Sequence, residues 1–320
     1  MTILSRRDAL RLFGIGATSF VGAVSCSRVA KTSNTRSAEE KPPASGPIIT
    51  KKIPATGEAV PAIGLGTWQT FDVGSTPAER QPLEDVLAEF STLGGKLIDS
   101  SPMYGKSEEV VGELAAKLHL RQKLFIATKV WTQGKAEGVR QMEESLRKLR
   151  ADPIDLMQVH NLIDVNSHLE TLSEWKRKGR VRYIGVTHYT ESALDAVAQT
   201  ISAHKIDFVQ INYSVGEREA EKRLLPLAAE RGIAVIANRP FAGGDLFSRL
   251  RSKPLPSWAG EIDCTSWAQV LLKFVISNPA ITCAIPATSN VVHLRDNMRA
   301  GLGRLPDQEL RTRIATELNS

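Results

Sequence analysis

Eight short apolar runs recur along the chain, at residues 62–66, 96–98, 124–128, 156–159, 182–186, 208–211, 234–237 and 280–285. Most begin about 26 to 30 residues apart, which leaves room in each interval for a strand, a helix and two short loops. The intervening stretches carry the other period. Leu83, Val86, Leu87, Phe90 and Leu93 follow the i, i+3, i+4, i+7 spacing of a helix with one buried face. Residues 110–120, 139–149, 169–178, 193–203 and 220–231 repeat that pattern, and Gly94, Gly179 and Gly232 stand where helices end on a left-handed residue. Such regular alternation predicts a (β/α)8 TIM barrel, a fold of roughly 250 residues. A doubly wound sheet would need fewer strands and a glycine-rich phosphate turn. Gly64-Leu65-Gly66 does not provide that turn, because it runs on into Thr67-Trp68-Gln69. Residues 48–53 and 59–63 flank Ala55-Thr56-Gly57 and read as a hairpin ahead of the barrel. The expected fold class is therefore α/β, a single barrel over residues 48–320 with an N-terminal hairpin.

One interval is abnormal. Residues 238–264 separate the seventh strand from its helix and contain Pro240, Gly243, Gly244, Pro254, Pro256 and Gly260. A connection of that length in a compact domain is usually functional, and this one lies on the face where barrels carry their chemistry.

The chain has a net charge of +6 and a sequence pI near 9.2, a balance that raises the question of a nucleic-acid partner. Its distribution answers against one. Residues 1–47 hold seven basic and three acidic residues, so four of the six net charges lie there. The body is nearly neutral and has no basic run interleaved with aromatics. The chain's three cysteines, Cys26, Cys264 and Cys283, show neither a disulfide framework nor zinc-ligand spacing, so no metal is expected.

The N-terminal segment has its own logic. Arg6-Arg7 precedes a weakly apolar stretch at residues 12–24 that contains Gly14, Gly16 and Gly22. That stretch is too short to cross a bilayer, which takes about 20 residues, and it ends in Ala23-Val24-Ser25. The pattern resembles a bacterial twin-arginine leader. It implies a signal peptide over residues 1–25, recognition by export machinery and a place in the periplasm or cell envelope; an unused leader would leave the protein cytoplasmic. Ala-Val-Ser-Cys also resembles a lipoprotein processing box, so Cys26 is a candidate membrane tether, with simple cleavage and release as its rival. Residues 26–47 read as a flexible linker.

Candidate chemistry is sought at strand C-termini. Asp99 ends the second run, Lys129 the third and His160 the fourth, and Tyr104 follows in the loop after the second. Singly, each has an ordinary reading: a helix cap, a solvated lysine, a satisfied histidine, a turn residue. Together, around one mouth, they form a set able to move a proton. Lys129 is expected to lower the Tyr104 phenol, Asp99 to hold Lys129 charged, and His160 to orient a substrate oxygen.

These residues, with Gly64-Leu65-Gly66-Thr67-Trp68, Ile98-Asp99-Ser100-Ser101-Pro102-Met103-Tyr104-Gly105 and Ile285-Pro286-Ala287-Thr288-Ser289, closely resemble the aldo/keto reductase family over about residues 50–305. The resemblance implies a barrel that reduces an aldehyde or ketone with NADPH, NADH not being excluded, and that uses no metal. Tyr104 would donate the proton, Lys129 and Asp99 would tune it, and His160 would position the carbonyl. By the same resemblance Gln210, with Thr187 and His188 in place of a Ser-Asn pair, would hold the nicotinamide carboxamide. Asn238, Arg239 and Pro240 stand where many members stack a tyrosine. Thr288, Ser289, His293 and Asn297 would meet the adenine end, and the loop at residues 239–264 would cover the pyrophosphate. Trp68, Met103, Trp131 and Asn161 would shape the pocket for a small-molecule carbonyl substrate. A monomer is expected. A non-catalytic NADP-binding redox sensor or assembly subunit is the alternative, which the leader keeps open.

Overall fold

The computed structural model describes residues 46–319. The leader, Cys26 and nearly all of the linker lie outside the described residues.

The chain enters through an antiparallel hairpin of β1 (Thr50–Lys52) and β2 (Ala59–Pro61), in which Thr50 pairs with Pro61 and Lys52 with Ala59. Eight parallel strands follow: β3 (Leu65–Gly66), β4 (Leu97–Asp99), β5 (Phe125–Val130), β6 (Ile154–His160), β7 (Val181–Thr187), β8 (Phe208–Asn212), β9 (Ala234–Asn238) and β10 (Ile281–Ala284). Each pairs with its neighbour in sequence. The first and last strands meet through parallel bridges, Ile63 with Ala284 and Gly66 with Ala287, which close the ring. That closure explains the Gly-Leu-Gly run. A Cβ at Gly64 would lie 2.8 Å from the Leu97 carbonyl oxygen, and one at Gly66 would lie 2.8 Å from that of Ile285. Gly64 lets the backbone of β4 approach, and Gly66 lets the chain after β10 approach where the barrel joins.

Helices alternate with the strands as the periodicity predicts: α1 (Pro77–Thr92), α2 (Ser107–Lys117), α3 (Lys135–Leu149), α4 (Val165–Arg177), α5 (Leu194–Ala203) and α6 (Leu224–Glu230). Local chemistry sets their ends. Thr76 and Glu79 form a capping box at the start of α1. Gly94, Gly179 and Gly232 sit just past α1, α4 and α6 with φ of 82°, 75° and 65°.

Two apolar layers result. One fills the space between strands and helices. The other fills the barrel itself, where Leu97, Phe125, Leu156, Tyr183 and Phe208 pack with Ile53 and Val60 of the hairpin. Those strand residues lie towards N-terminal ends, so the hairpin plugs the bottom of the barrel and leaves the C-terminal face as the open mouth. Tyr183 secures the plug by donating its hydroxyl to Glu58 Oε2 at 2.6 Å.

The abnormal interval is folded rather than a plain loop. It holds α7 (Asp245–Leu250) and 3-10 turns at Ala242–Gly244 and Ser257–Ile262. Leu246, Leu250, Trp258 and Ile262 bury their side chains and so anchor it to the body. After it come α8 (Trp267–Ser277), α9 (Val291–Arg299) and α10 (Gln308–Asn319), which lie beyond the six amphipathic stretches named from the sequence. No helix among the described residues is long and apolar enough to cross a membrane.

Candidate active site

Strand register brings the predicted quartet together. Asp99 ends β4, Lys129 is the penultimate residue of β5, and His160 ends β6. Tyr104 is carried by the turn between β4 and α2. Its own N–H bonds to the Ser101 carbonyl at 3.0 Å and its carbonyl accepts from the Ser107 N–H at 3.1 Å. Gly105 turns the chain at φ 58°, and Asp72 Oδ1 accepts the Lys106 N–H at 2.9 Å, which fixes the turn from the β3 side.

Lys129 is fully buried. Its ammonium donates to Asp99 Oδ2 at 2.6 Å and to the Ser100 carbonyl at 2.7 Å, and stands 4.9 Å from the centroid of the Tyr104 ring. Burial works against the ammonium, but the Asp99 carboxylate and Tyr104 beside it outweigh burial and hold the Lys129 pKa above its ordinary value. Lys129 is therefore charged.

Lys129 acts on the Tyr104 phenol in the expected downward direction, but the net shift is upward. Burial is the largest influence and raises the phenol's pKa, and Asp99 also pushes it up. Desolvation disfavours the phenolate more than one neighbouring ammonium, already engaged by a carboxylate, favours it. Tyr104 is thus a phenol at neutral pH and holds the proton that a donor needs. His160 is buried too. Burial first, then the charges of Lys129 and His188, push its pKa down to about 2, so its ring is neutral. It meets the Tyr104 ring edge-on, with centroids 6.0 Å apart.

These groups open on a cavity of about 600 Å³ at the barrel mouth. Asp99, Tyr104 and His160 reach its lining, and Lys129 stands behind them. Trp68, Met103, Trp131 and Asn161 line it as predicted. Tyr189, Phe241 and Phe247, which the sequence reading missed, add to its apolar wall. Phe241 and Phe247 come from the abnormal interval, whose length was their only signal. Of the large apolar side chains exposed among the described residues, most stand at this mouth: Trp68, Met103, Trp131, Tyr189 and Phe247. Such a concentration marks a binding surface.

The far wall carries Thr187, Gln210, Asn238, Arg239 and Pro240. Gln210 Nε2, Arg239 Nε, Asn161 Oδ1 and Asn238 Oδ1 are buried at this cavity without a hydrogen-bond partner. Buried polar atoms are normally paired, so two donors and two acceptors point to a missing polar ligand. A carboxamide, which offers both a carbonyl and an NH2 group, has the complementary chemistry. The predicted carboxamide site is modified in two respects. The Thr187 hydroxyl donates to Gln210 Oε1 at 2.9 Å and so orients Gln210. His188 does not line the cavity: its Nδ1 accepts the N–H of Tyr189 at 3.1 Å and of Thr190 at 3.3 Å, and so builds its own turn.

The predicted adenine end is also outside this cavity. Ala287 lines it, but Thr288, Ser289, His293 and Asn297 do not. Thr288 Oγ1 accepts the Asn290 N–H at 3.1 Å in the turn before α9, and Asn297 is buried in that helix. A second cleft, of about 400 Å³, lies at the other end of the barrel around Arg121, Asp155 and Arg182, and holds none of the predicted residues.

Comparison with known proteins places this geometry. The family model described as "Aldo/keto reductase family" matches residues 62–314. Methylglyoxal reductase YeaE of Escherichia coli (strain K12) is 30% identical over 255 residues, covering 77% of this chain and 88% of that protein. A protein of the same organism named NADH-specific methylglyoxal reductase is 29% identical over 244 residues, covering 65% and 73%. The crystal structure of an aldo-keto reductase from Klebsiella pneumoniae in complex with NADPH superposes with a TM-score of 0.70. It is 27% identical and covers 85% of this chain and 96% of that one.

Proposed function

Since the chain belongs to the aldo/keto reductase family, we propose that it reduces an aldehyde or ketone to an alcohol with hydride from NADPH and a proton from Tyr104. The observation that carries this reading is the Asp99–Lys129–Tyr104 arrangement: a phenol on the cavity lining, with a buried ammonium at its ring held 2.6 Å from a carboxylate.

Bound nicotinamide supplies the hydride for the carbonyl carbon. The chain's residues do the rest. Gln210, oriented by Thr187, and Asn161 hold the carboxamide through their unpartnered amide atoms. Asn238, Arg239 and Pro240 border the same wall. His160 hydrogen-bonds the carbonyl oxygen and orients it towards Tyr104. As negative charge develops on that oxygen, the Tyr104 O–H bond breaks and the alcohol O–H forms. The resulting phenolate is stabilised by the Lys129 ammonium until water returns a proton. The apolar ring around the mouth excludes water and suits a carbonyl bearing a hydrophobic or aromatic group. NADH is the alternative donor, in line with the name of one relative.

Tyr104→Phe tests the assignment. Turnover of a generic aldehyde falls about 10³-fold, within the range general acids supply, while the NADPH dissociation constant from fluorescence titration is unchanged. Undiminished turnover would remove Tyr104 as the donor. Tight NADPH binding by the wild-type protein with no turnover across a carbonyl panel would instead favour a sensor.

The address is a separate proposal resting on sequence alone. Residues 1–25 direct export through the paired Arg6-Arg7, residues 26–47 tether the barrel, and Cys26 is its candidate lipid site. Cell fractionation tests this: the protein reaches the envelope fraction, and replacing both arginines by lysine retains it in the cytoplasm.

A further inference from the structure

Ser101 belongs to the turn that carries Tyr104, yet its side chain serves a different residue. Its Oγ lies 3.1 Å from His160 Nδ1, across a sequence separation of 59 residues. The same Oγ accepts the Met103 N–H at 3.3 Å. Ser101 is fully buried, so bulk solvent does not reach its hydroxyl.

We infer that Ser101 is a positioning residue that holds His160 in the tautomer with its proton on Nε2. The argument is one of hydrogen-bond capacity. A serine hydroxyl has one proton to give. With the Met103 N–H already directed at its oxygen, His160 Nδ1 is the acceptor within reach for that proton. If Nδ1 carried a proton instead, Ser101 Oγ would accept twice, and its own O–H would be buried with nothing to receive it, an arrangement that folded proteins avoid. Ser101 therefore donates and Nδ1 accepts. A neutral imidazole then carries its one proton on Nε2.

Nε2 makes no hydrogen bond to any described residue, and His160 contributes to the cavity lining. The proton therefore faces the place where a carbonyl oxygen would sit, beside the Tyr104 hydroxyl. In the other tautomer Nε2 would present a lone pair to that oxygen and repel it. This inference deepens the proposed reduction: the turn after β4 delivers the acid, Tyr104, and two residues of the same turn set the second donor.

The test reads the tautomer apart from turnover. In protein labelled with 15N-histidine, the His160 nitrogens are identified by their loss in His160→Gln. The expected wild-type pattern is a protonated, pyrrole-type Nε2 and an unprotonated, hydrogen-bonded Nδ1. Ser101→Ala moves the Nδ1 resonance towards that of an unbonded imidazole nitrogen. It also lowers kcat/KM for an aldehyde about tenfold, the scale of one lost hydrogen bond, without changing NADPH affinity. A proton on Nδ1 in the wild type, or an Nδ1 resonance that does not move in Ser101→Ala, overturns the inference. If the wild type reduces no carbonyl, the proposed reaction fails, while the nitrogen shifts still decide the role of Ser101.

Discussion

At the scale of single residues, burial outweighs neighbouring charge at Tyr104 and His160, whereas at Lys129 the neighbours outweigh burial. Tyr104 and His160 both lie near the Lys129 ammonium, and for both, desolvation is the largest influence. It favours the neutral phenol and the neutral imidazole, the two forms able to donate to a carbonyl oxygen. For His160 the consequence is measurable. The folded state leaves it unprotonated down to about pH 2, whereas the unfolded chain protonates it near its ordinary value of 6.5. Its contribution to stability is therefore complete above pH 6.5 and is lost as pH falls below that value. Between pH 7 and pH 5, wild-type protein should lose about 2 kcal/mol more unfolding free energy than His160→Gln. Urea unfolding at the two pH values checks this, and equal losses would show that His160 titrates normally. Asp99, Lys129 and His160 were legible in the sequence because strand ends can be located from the apolar runs, and Tyr104 because it follows the second run closely. Ser101 was not singled out, because only the fold shows its proximity to His160.

At the scale of elements, local signals were good guides to helices, and close approach between elements was not visible. The amphipathic stretches predicted α1 to α6, and the glycines after α1, α4 and α6 have the left-handed φ expected of them. Gly112 is different. It lies inside α2, where glycine costs helix stability, and no sequence rule explains it. The reason is α3: a Cβ at Gly112 would lie 2.0 Å from the Lys148 carbonyl oxygen. Gly112→Ala should therefore destabilise the protein by about 1–3 kcal/mol despite the better helix propensity of alanine. A urea midpoint at or above the wild-type value would contradict this account. Tertiary packing also settled residues 239–264. Prolines and glycines made the segment read as loop, and burial of Leu246, Leu250, Trp258 and Ile262 folds it into short helical turns.

At the scale of the whole molecule, two regions of different character share one chain. Four of the six net charges precede residue 48, while the fold and every cavity residue belong to the rest. The hairpin closes one end of the barrel with Ile53 and Val60, and the mouth at the other end carries the site. The apolar core of the described residues is built from residue 48 onward. Protein lacking residues 1–45 should unfold at the full-length urea midpoint and bind NADPH with the same affinity. A weaker affinity would assign the N-terminal segment a part in the body's function.

The sequence by itself determined the repeating units, their order and the strand ends on which Asp99, Lys129 and His160 stand. These are local properties: a period of two or of 3.6 residues, and the glycine that ends a helix, act over a few positions. Only the tertiary structure decided how each hydrogen-bonding group is used. Thr187 turns to Gln210, His188 to its own loop, Ser101 to His160, and the Gly64-Leu65-Gly66 run to the closing seam of the barrel. A hydroxyl has one proton and a ring nitrogen one lone pair. Which neighbour takes them depends on distances of about three ångströms between residues far apart in the chain.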